Sequence, residues 1–401
     1  MNILFLSLGE FDSFQAGSVH VDLMKKFSEE HNVFLACKNE RRNNENTKLE
    51  QVGCINVLRV RTGNLKNVGL IEKGISTIRL ERQFICAIKK FFSDISFDLV
   101  LYTTPPITFA RVVQYIKQRD GAISYLMLKD IFPQNAVDIG MLSIQGVRKL
   151  PYMFFRHKER QLYKVSDYIG CMSPANVKYI LKNNPSIDPC KVEICPNCIN
   201  VVDHSVTDQQ RIEIRKKYNI PLDKIVFVYG GNLGKPQGID FLIKCLDSQA
   251  QMSDVYFLII GSGTEYSKLE CHINNSKQTN VRLMNKIPRA DYDKLVGGCD
   301  VGLIFLDHRF TIPNFPSRIL SYMQAKLPVY AVTDENTDIG QIAVENAFGW
   351  WTVSNDLDAF CQTIELIKTG DRKNMGCTAY DFLLDNYSVD NGYRQIIKHM
   401  L

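Results

Sequence analysis

Several features that would assign this chain to a class at once are missing. No uninterrupted apolar run reaches the ~18 residues of a transmembrane helix, and the opening MNILFLSLGEF carries no basic stretch ahead of its apolar residues. Neither a membrane span nor a secretory signal peptide is expected. The first strand–loop–helix lacks G-x-G-x-x-G, and no acidic residue is well placed after its second strand, so a dinucleotide site is disfavoured. Cys195-Pro-Asn-Cys198, with Cys190 nearby, has no second pair at zinc-site spacing. The 12 cysteines are scattered through apolar segments, as in a reduced, cytoplasmic protein, and read best as buried thiols. Repeats and low-complexity tracts are also absent. A net charge of +5 suits an anionic small partner without implying nucleic acid.

What remains is an α/β pattern long enough for two domains. The chain has 401 residues, 45% hydrophobic and 23% charged, the proportions of a globular protein with cores of ordinary size. Buried-strand runs alternate with helical periodicity throughout: residues 3–8, 32–37, 98–103 and 122–128 read as strands, with helices at 19–29, 79–92 and 108–118. Arg41 to Lys48 reads as a charged surface loop. Asn183 to Asp203, rich in Asn, Pro and Cys, reads as a linker.

The most informative stretch is KIVFVYGGNLGKPQGIDFLIKCL, Lys224 to Leu246. An apolar strand ends in Gly230-Gly231, and Ile239, Leu242, Ile243 and Leu246 then recur at helical spacing. Strand, glycine turn and helix together present N–H groups and a positive helix end to a phosphate. A second unit, CDVGLIFLDHRFTIPNFPSRILSYMQAKLPVYAV, places Ser317-Arg318 at another helix start. Lys235 and Arg318 are therefore expected to clamp one pyrophosphate, and a helix opening at Ser317 is expected to add free N–H groups. In the first half, Lys129-Asp130 follows a buried strand at its C-terminal end, where α/β ligands bind. The alternative is that Asp130 caps the next turn. RKLPYMFFRHKERQLYK, residues 148–164, interleaves basic and aromatic side chains and reads either as a membrane-surface helix or as a core helix with solvated lysines.

GGNLGKPQG, GSGTEYSKLE, CDVGLIFL, PNFPSRILSYMQAKLPVYAV and LKDIFPQNAVDIGML, in that arrangement, resemble nucleotide-sugar glycosyltransferases of family four, and within it the bacterial branch that builds capsule and O-antigen polysaccharides. The resemblance implies the GT-B architecture: two Rossmann-like, doubly wound domains facing across a cleft. Residues 1–200 would be the acceptor side, 201–388 the nucleotide-sugar domain, and 389–401 a helix crossing back to the first domain. It implies a donor site of Gly231, Asn232, Leu233, Gly234, Lys235, Gly261, Lys286, Ile287, Ser317, Arg318 and Ser321. Gly17, Ser18, Thr103 and Thr104 would lie on the acceptor side, with Asp130 and Lys129 at the reacting centre.

The implied reaction is retaining transfer from a nucleotide sugar, most readily a UDP-sugar. Its acceptor would be a lipid-linked saccharide of the undecaprenyl diphosphate type, used at the inner face of the plasma membrane without metal or cofactor. The sequence departs from the family pattern in several places. Lys129 stands where many members have His, and Asn232 and Gln237 stand where Arg and Lys are common. Pro313 and Ser321 replace the Glu-x₇-Glu pair. A nucleotide-sugar 2-epimerase of the same fold, or a non-catalytic regulatory subunit, is the alternative reading.

Overall fold

The computed structural model describes residues 1–9, 11, 18–65, 68–146 and 149–400; Gly17 and Arg148 lie outside them. The chain divides into two compact units, Met1–Asn200 with Val389–Leu401, and Val201–Ser388.

The first unit is built on an eight-stranded sheet. Its strands are β1 (Asn2–Ser7), β2 (Asn32–Glu40), β3 (Lys48–Val52), β4 (Ile55–Thr62), β5 (Leu99–Thr103), β6 (Ile123–Leu128), β7 (Tyr168–Cys171) and β8 (Val192–Ile194), in the order β3-β4-β2-β1-β5-β6-β7-β8. Every pairing is parallel except β3 with β4. The central strands are apolar on both faces because helices cover both sides; β5 is buried at every residue. The charged run 41–48 is largely exposed, as expected of a surface loop; it opens with a short 3₁₀ turn, Arg41–Asn43, and enters β3 only at Lys48, so the β3–β4 hairpin follows it. The helix expected from Arg79 starts earlier and spans Leu70–Phe91.

The second unit carries six parallel strands: β9 (Ile225–Asn232), β10 (Val255–Ser262), β11 (Val281–Asn285), β12 (Val301–Phe305), β13 (Val329–Thr333) and β14 (Gly349–Val353). Their order is β11-β10-β9-β12-β13-β14. The order reverses at β9/β12, so the C-terminal ends of β9, β10 and β12 meet at a topological switch point, where α/β sheets bind ligands. Phe227, Tyr229, Phe257, Ile259, Leu303 and Tyr330 belong to the core beneath that point.

The final helix, Val389–Ile397, belongs to the first unit and packs on the helix Val19–Ser28. Lys26 pairs with Asp390 at 2.9 Å, and the Phe27 and Tyr393 rings lie 4.9 Å apart. Beyond it, His399 stacks on Tyr168 at 3.6 Å and bonds Glu193 at 3.0 Å. Among the described residues no helix is long and apolar enough to cross a membrane.

Candidate active site

In the second unit the glycine turn forms at the C-terminal end of β9, whose last residues, Gly230 to Asn232, still pair with β10. Gly231 has φ +128, a conformation open to glycine and costly for residues with a Cβ, and a Cβ there would meet Arg318 Nη2 at 3.5 Å. At Gly230 a Cβ would overlap the Tyr292 hydroxyl. The Gly230 N–H donates to Tyr322 Oη (3.1 Å), which itself donates to the Leu303 carbonyl (3.0 Å). Two tyrosines are thus locked beside the turn. The Arg318 guanidinium lies over the Tyr229 ring, 4.2 Å from its centroid, a cation–π placement. Its Nη1 is buried and without a hydrogen-bond partner, and no carboxylate among the described residues pairs with it. A buried guanidinium N–H left open is costly unless a ligand completes it, and a guanidinium is suited to a phosphate.

The expected pyrophosphate clamp is only partly assembled. The helix Arg318–Gln324 has seven residues, and its first N–H groups are already used, Ile319 on Pro316 O and Leu320 on Ser317 O. The charge of Arg318 is what this segment offers, and its helix end is spent. Lys235 is exposed in a 3₁₀ turn, Lys235–Gln237, with no side-chain partner among the described residues. Asn232 Nδ2 donates to Gln237 Oε1 (3.0 Å), which also accepts from the Gly234 N–H (3.1 Å). These two amides brace the turn internally. Leu233 is a core side chain whose N–H and C=O tie the turn to Ser262 and Glu265. Gly261 pairs in register with Gly231, and a Cβ there would overlap the Gly231 carbonyl.

Ser321, at the position implied for ribose contact, is buried and accepts from Arg289 Nη2 at 3.0 Å. Arg289 is also held by Asp293 at 2.8 Å. The serine that stands where the family pattern has a carboxylate is therefore engaged by an arginine. Periodicity gave no hint of this, because the pairing crosses from one helix to another. Ser317 and Lys286 are exposed and Ile287 is half-buried.

In the first unit, Thr104 organises the segment after β6. Its buried hydroxyl accepts from the N–H groups of Lys129 (3.0 Å) and Asp130 (3.1 Å) and donates to the Asp130 carbonyl (3.0 Å). Thr104 is therefore a positioning residue whose hydroxyl is already committed, and Thr103 is buried in β5. Lys129 and Asp130 form no ion pair. Asp130 caps nothing: the next helix, Gln134–Asp138, has no side-chain cap, and the carboxylate has no bond among the described residues. Burial raises its pKa above the ordinary carboxyl value. Burial likewise lowers that of Lys129, against an opposing influence from Cys195 and Cys198.

Ser18 caps the helix Val19–Ser28 through the Val21 N–H. His20, in the first turn of that helix, was not singled out from sequence. Its pKa is lowered to about 4 by burial and then by the charge of Lys129, and its buried Nδ1 has no partner among the described residues. The only signal for it was a histidine just beyond the loop that leaves β1 at its C-terminal end. Cys195 and Cys198 are buried free thiols and Cys190 is exposed. Among the described residues no group of three or more His, Cys, Asp or Glu is placed to hold a metal.

Two Rossmann-like units, each built on a parallel or nearly parallel sheet, are the fold of the GT-B glycosyltransferases found among the solved structures this chain resembles. Residues 210–381, inside the second unit, match the family model described as "Glycosyl transferases group 1"; the chain carries that domain and is a glycosyltransferase. Over 321 residues it is 24% identical to the "Probable glycosyltransferase WbjE" of Pseudomonas aeruginosa, covering 80% of this chain and 78% of the relative. It is 20% identical over 251 residues to the "Putative colanic acid biosynthesis glycosyl transferase WcaI" of Escherichia coli K12, covering 61% and 60%. Among solved structures, Alr3699/HepE of Anabaena in complex with UDP matches with a TM-score of 0.68 at 14% identity, over 100% of this chain and 99% of that one, a likeness of fold.

Proposed function

We propose that this protein moves a sugar from a nucleoside diphosphate sugar, a UDP-sugar in the first instance, to a lipid-linked saccharide during bacterial surface polysaccharide synthesis. The carrying observation is Arg318, a half-buried cation whose buried Nη1 has no hydrogen-bond partner among the described residues, beside Gly231. Cleavage of the anomeric C–O bond leaves negative charge on the diphosphate. Arg318 stabilises that charge in place of a metal, as fixed cationic donors do in a dry site. The acceptor oxygen bonds to the anomeric carbon on the face the nucleotide leaves, with retention, and its proton departs with the diphosphate. Asp130, with Lys129 and His20 on the same unit, orients the acceptor hydroxyl. The UDP in HepE and the polysaccharide assignment of WcaI support the donor and the pathway.

The test is incubation of the full chain with UDP-, GDP- and dTDP-sugars, with and without a lipid-linked acceptor. Acceptor-dependent release of nucleoside diphosphate, unaffected by EDTA, is the expected result. A new nucleotide sugar, or binding without turnover, overturns the reading. Arg318→Ala should weaken UDP binding at least about tenfold by calorimetry, the loss of one charge-assisted contact.

The same reading puts the first unit on the inner membrane surface through the stretch 148–164, although not through every cation of that stretch. In the helix Lys149–Val165, Arg156 pairs with the buried Glu159 and bonds Asn184 Oδ1 (2.8 Å), and Lys158 pairs with the buried Glu81 (2.7 Å). These cations hold the unit together and do not face lipid. Exposed instead are Leu150, Met153 and Phe154, with Met141 and Ile144 in the preceding segment, and the cations Lys149, Arg160 and Lys164 on the same helix. Apolar anchors among lysines and arginines fit an anionic lipid surface.

A further inference from the structure

A cavity of about 730 Å³ opens at the C-terminal ends of β2 and β4, lined by Arg41, Arg61, Thr62, Glu72, Arg79 and Gln83 among others. Three cations face one carboxylate. Arg41 is paired with Glu72 at 3.5 Å, and Arg61 Nη1 rests on Asn46 Oδ1 at 3.1 Å. Arg79 is exposed and has no hydrogen bond or ion pair among the described residues. Thr62 is 1% exposed, yet its hydroxyl has no partner there, and the same holds for the buried Gln83 Oε1. Unsatisfied buried polar atoms on a cavity wall are costly in isolation and call for an occupant. An open acceptor at Gln83 and an open hydroxyl at Thr62 suit sugar hydroxyls, and the surplus guanidinium charge suits an oxyanion.

We propose that this cavity binds a saccharide bearing a phosphate or carboxylate, with its oxyanion on Arg79 and Arg61 and its hydroxyls on Thr62 and Gln83. The proposal rests on the glycosyltransferase reading for its biological meaning: the acceptor is anionic near its accepting end. β1, β2, β4, β5 and β6 run parallel, so the cavity shares the C-terminal edge of the sheet with Thr104, Lys129 and Asp130.

The experiment titrates the full chain with glucose 1-phosphate, glucuronate and glucose, reading binding by calorimetry and by ligand-observed NMR. One or both anionic sugars should bind and glucose should not; which of the two binds identifies the oxyanion. Arg79→Glu should weaken that binding at least about tenfold and leave UDP binding unchanged, which also shows that the variant is folded. Thr62→Val, of equal shape, should weaken it too. Absence of binding by both anionic sugars, equal binding of glucose, or binding lost with Arg318→Ala and kept with Arg79→Glu would overturn the proposal. Binding at the Arg79 cavity with no UDP binding by the wild type would instead sink the donor reading and leave the cavity standing.

Discussion

Asp130 and Arg318 illustrate the same physics with opposite signs. Each is a charge without a protein counter-ion, held by a neighbour that fixes its position: Thr104 grips the backbone around Asp130, and the Tyr229 ring lies under Arg318. Unpaired charge is expensive to bury, so such groups are candidates for ligand contact. Asp130→Asn keeps the shape and removes the charge. It should lower turnover at least about a hundredfold, the lower range for a positioned acid–base group, with UDP affinity unchanged. Near-normal turnover in a steady-state assay would remove Asp130 from the reacting centre. Gln237 carries the complementary lesson: standing where the family pattern commonly has a cation, it is consumed by Asn232 and Gly234.

At the scale of elements, the loop that delivers Arg318 is held by the turn after β13. Asp334 is buried and accepts from the N–H groups of Asn336 and Thr337 and from the Thr337 hydroxyl. Thr337 Oγ1 accepts from the Asn314 N–H, and Asn336 Nδ2 donates to Phe310 O. Burial raises the Asp334 pKa from 3.8 to about 6, against the lowering effect of those hydrogen bonds. Between these values the folded state holds a proton that the unfolded chain releases. The stabilisation from that proton is therefore fully present below about pH 3.8 and is lost as pH rises through about 6, a loss of about 3 kcal/mol that is complete by neutral pH. Asp334→Asn should remove this slope. In urea titrations its stability relative to wild type should rise between pH 4.5 and 7.5, and a constant difference would refute the assignment.

A second joint ties the helix Asp208–Lys217 to β9 and β12. Arg215 is 1% exposed. It pairs with Asp300 at 2.6 Å and donates to the carbonyls of Gly298, Pro221 and Lys224, while Asp300 accepts from the Val226 N–H. Arg215→Ala strands those three carbonyls, while Asp300 keeps Arg211, and should cost about 3–5 kcal/mol, at about 1–3 kcal/mol for each buried acceptor left unsatisfied. Chemical denaturation would show it as a lower midpoint, and a loss within about 1 kcal/mol would place the joint among the exposed pairs.

For the whole molecule, the testable matter is where it works. The full chain should co-sediment with vesicles containing anionic lipid, less with neutral ones, and partly elute at high salt as screening rises. Leu150→Ser with Phe154→Ser should reduce the salt-resistant fraction through lost apolar burial, with acceptor-independent UDP binding unchanged. Vesicle binding equal to wild type would mean that this patch does not touch lipid. Arg156 and Lys158 are unsuitable for that test, because reversing them would break ion pairs to the buried Glu159 and Glu81.

The alternation of apolar runs and helical spacing by itself determined the α/β class, most strands and the glycine turn after β9. Those features depend on period and on local backbone freedom, which a chain carries in its order. The β3–β4 hairpin escaped because β3, KLEQV, has no buried residue; it is a strand only because β4 offers it an edge. Tertiary structure alone decided how the polar groups are spent. Gln237 and Ser321 satisfy Asn232 and Arg289, Thr104 holds the Asp130 backbone, and Arg318 keeps an open N–H. Each of those partnerships joins positions brought together by folding, and whether a charge is paired depends on what arrives beside it, which spacing along the chain does not encode.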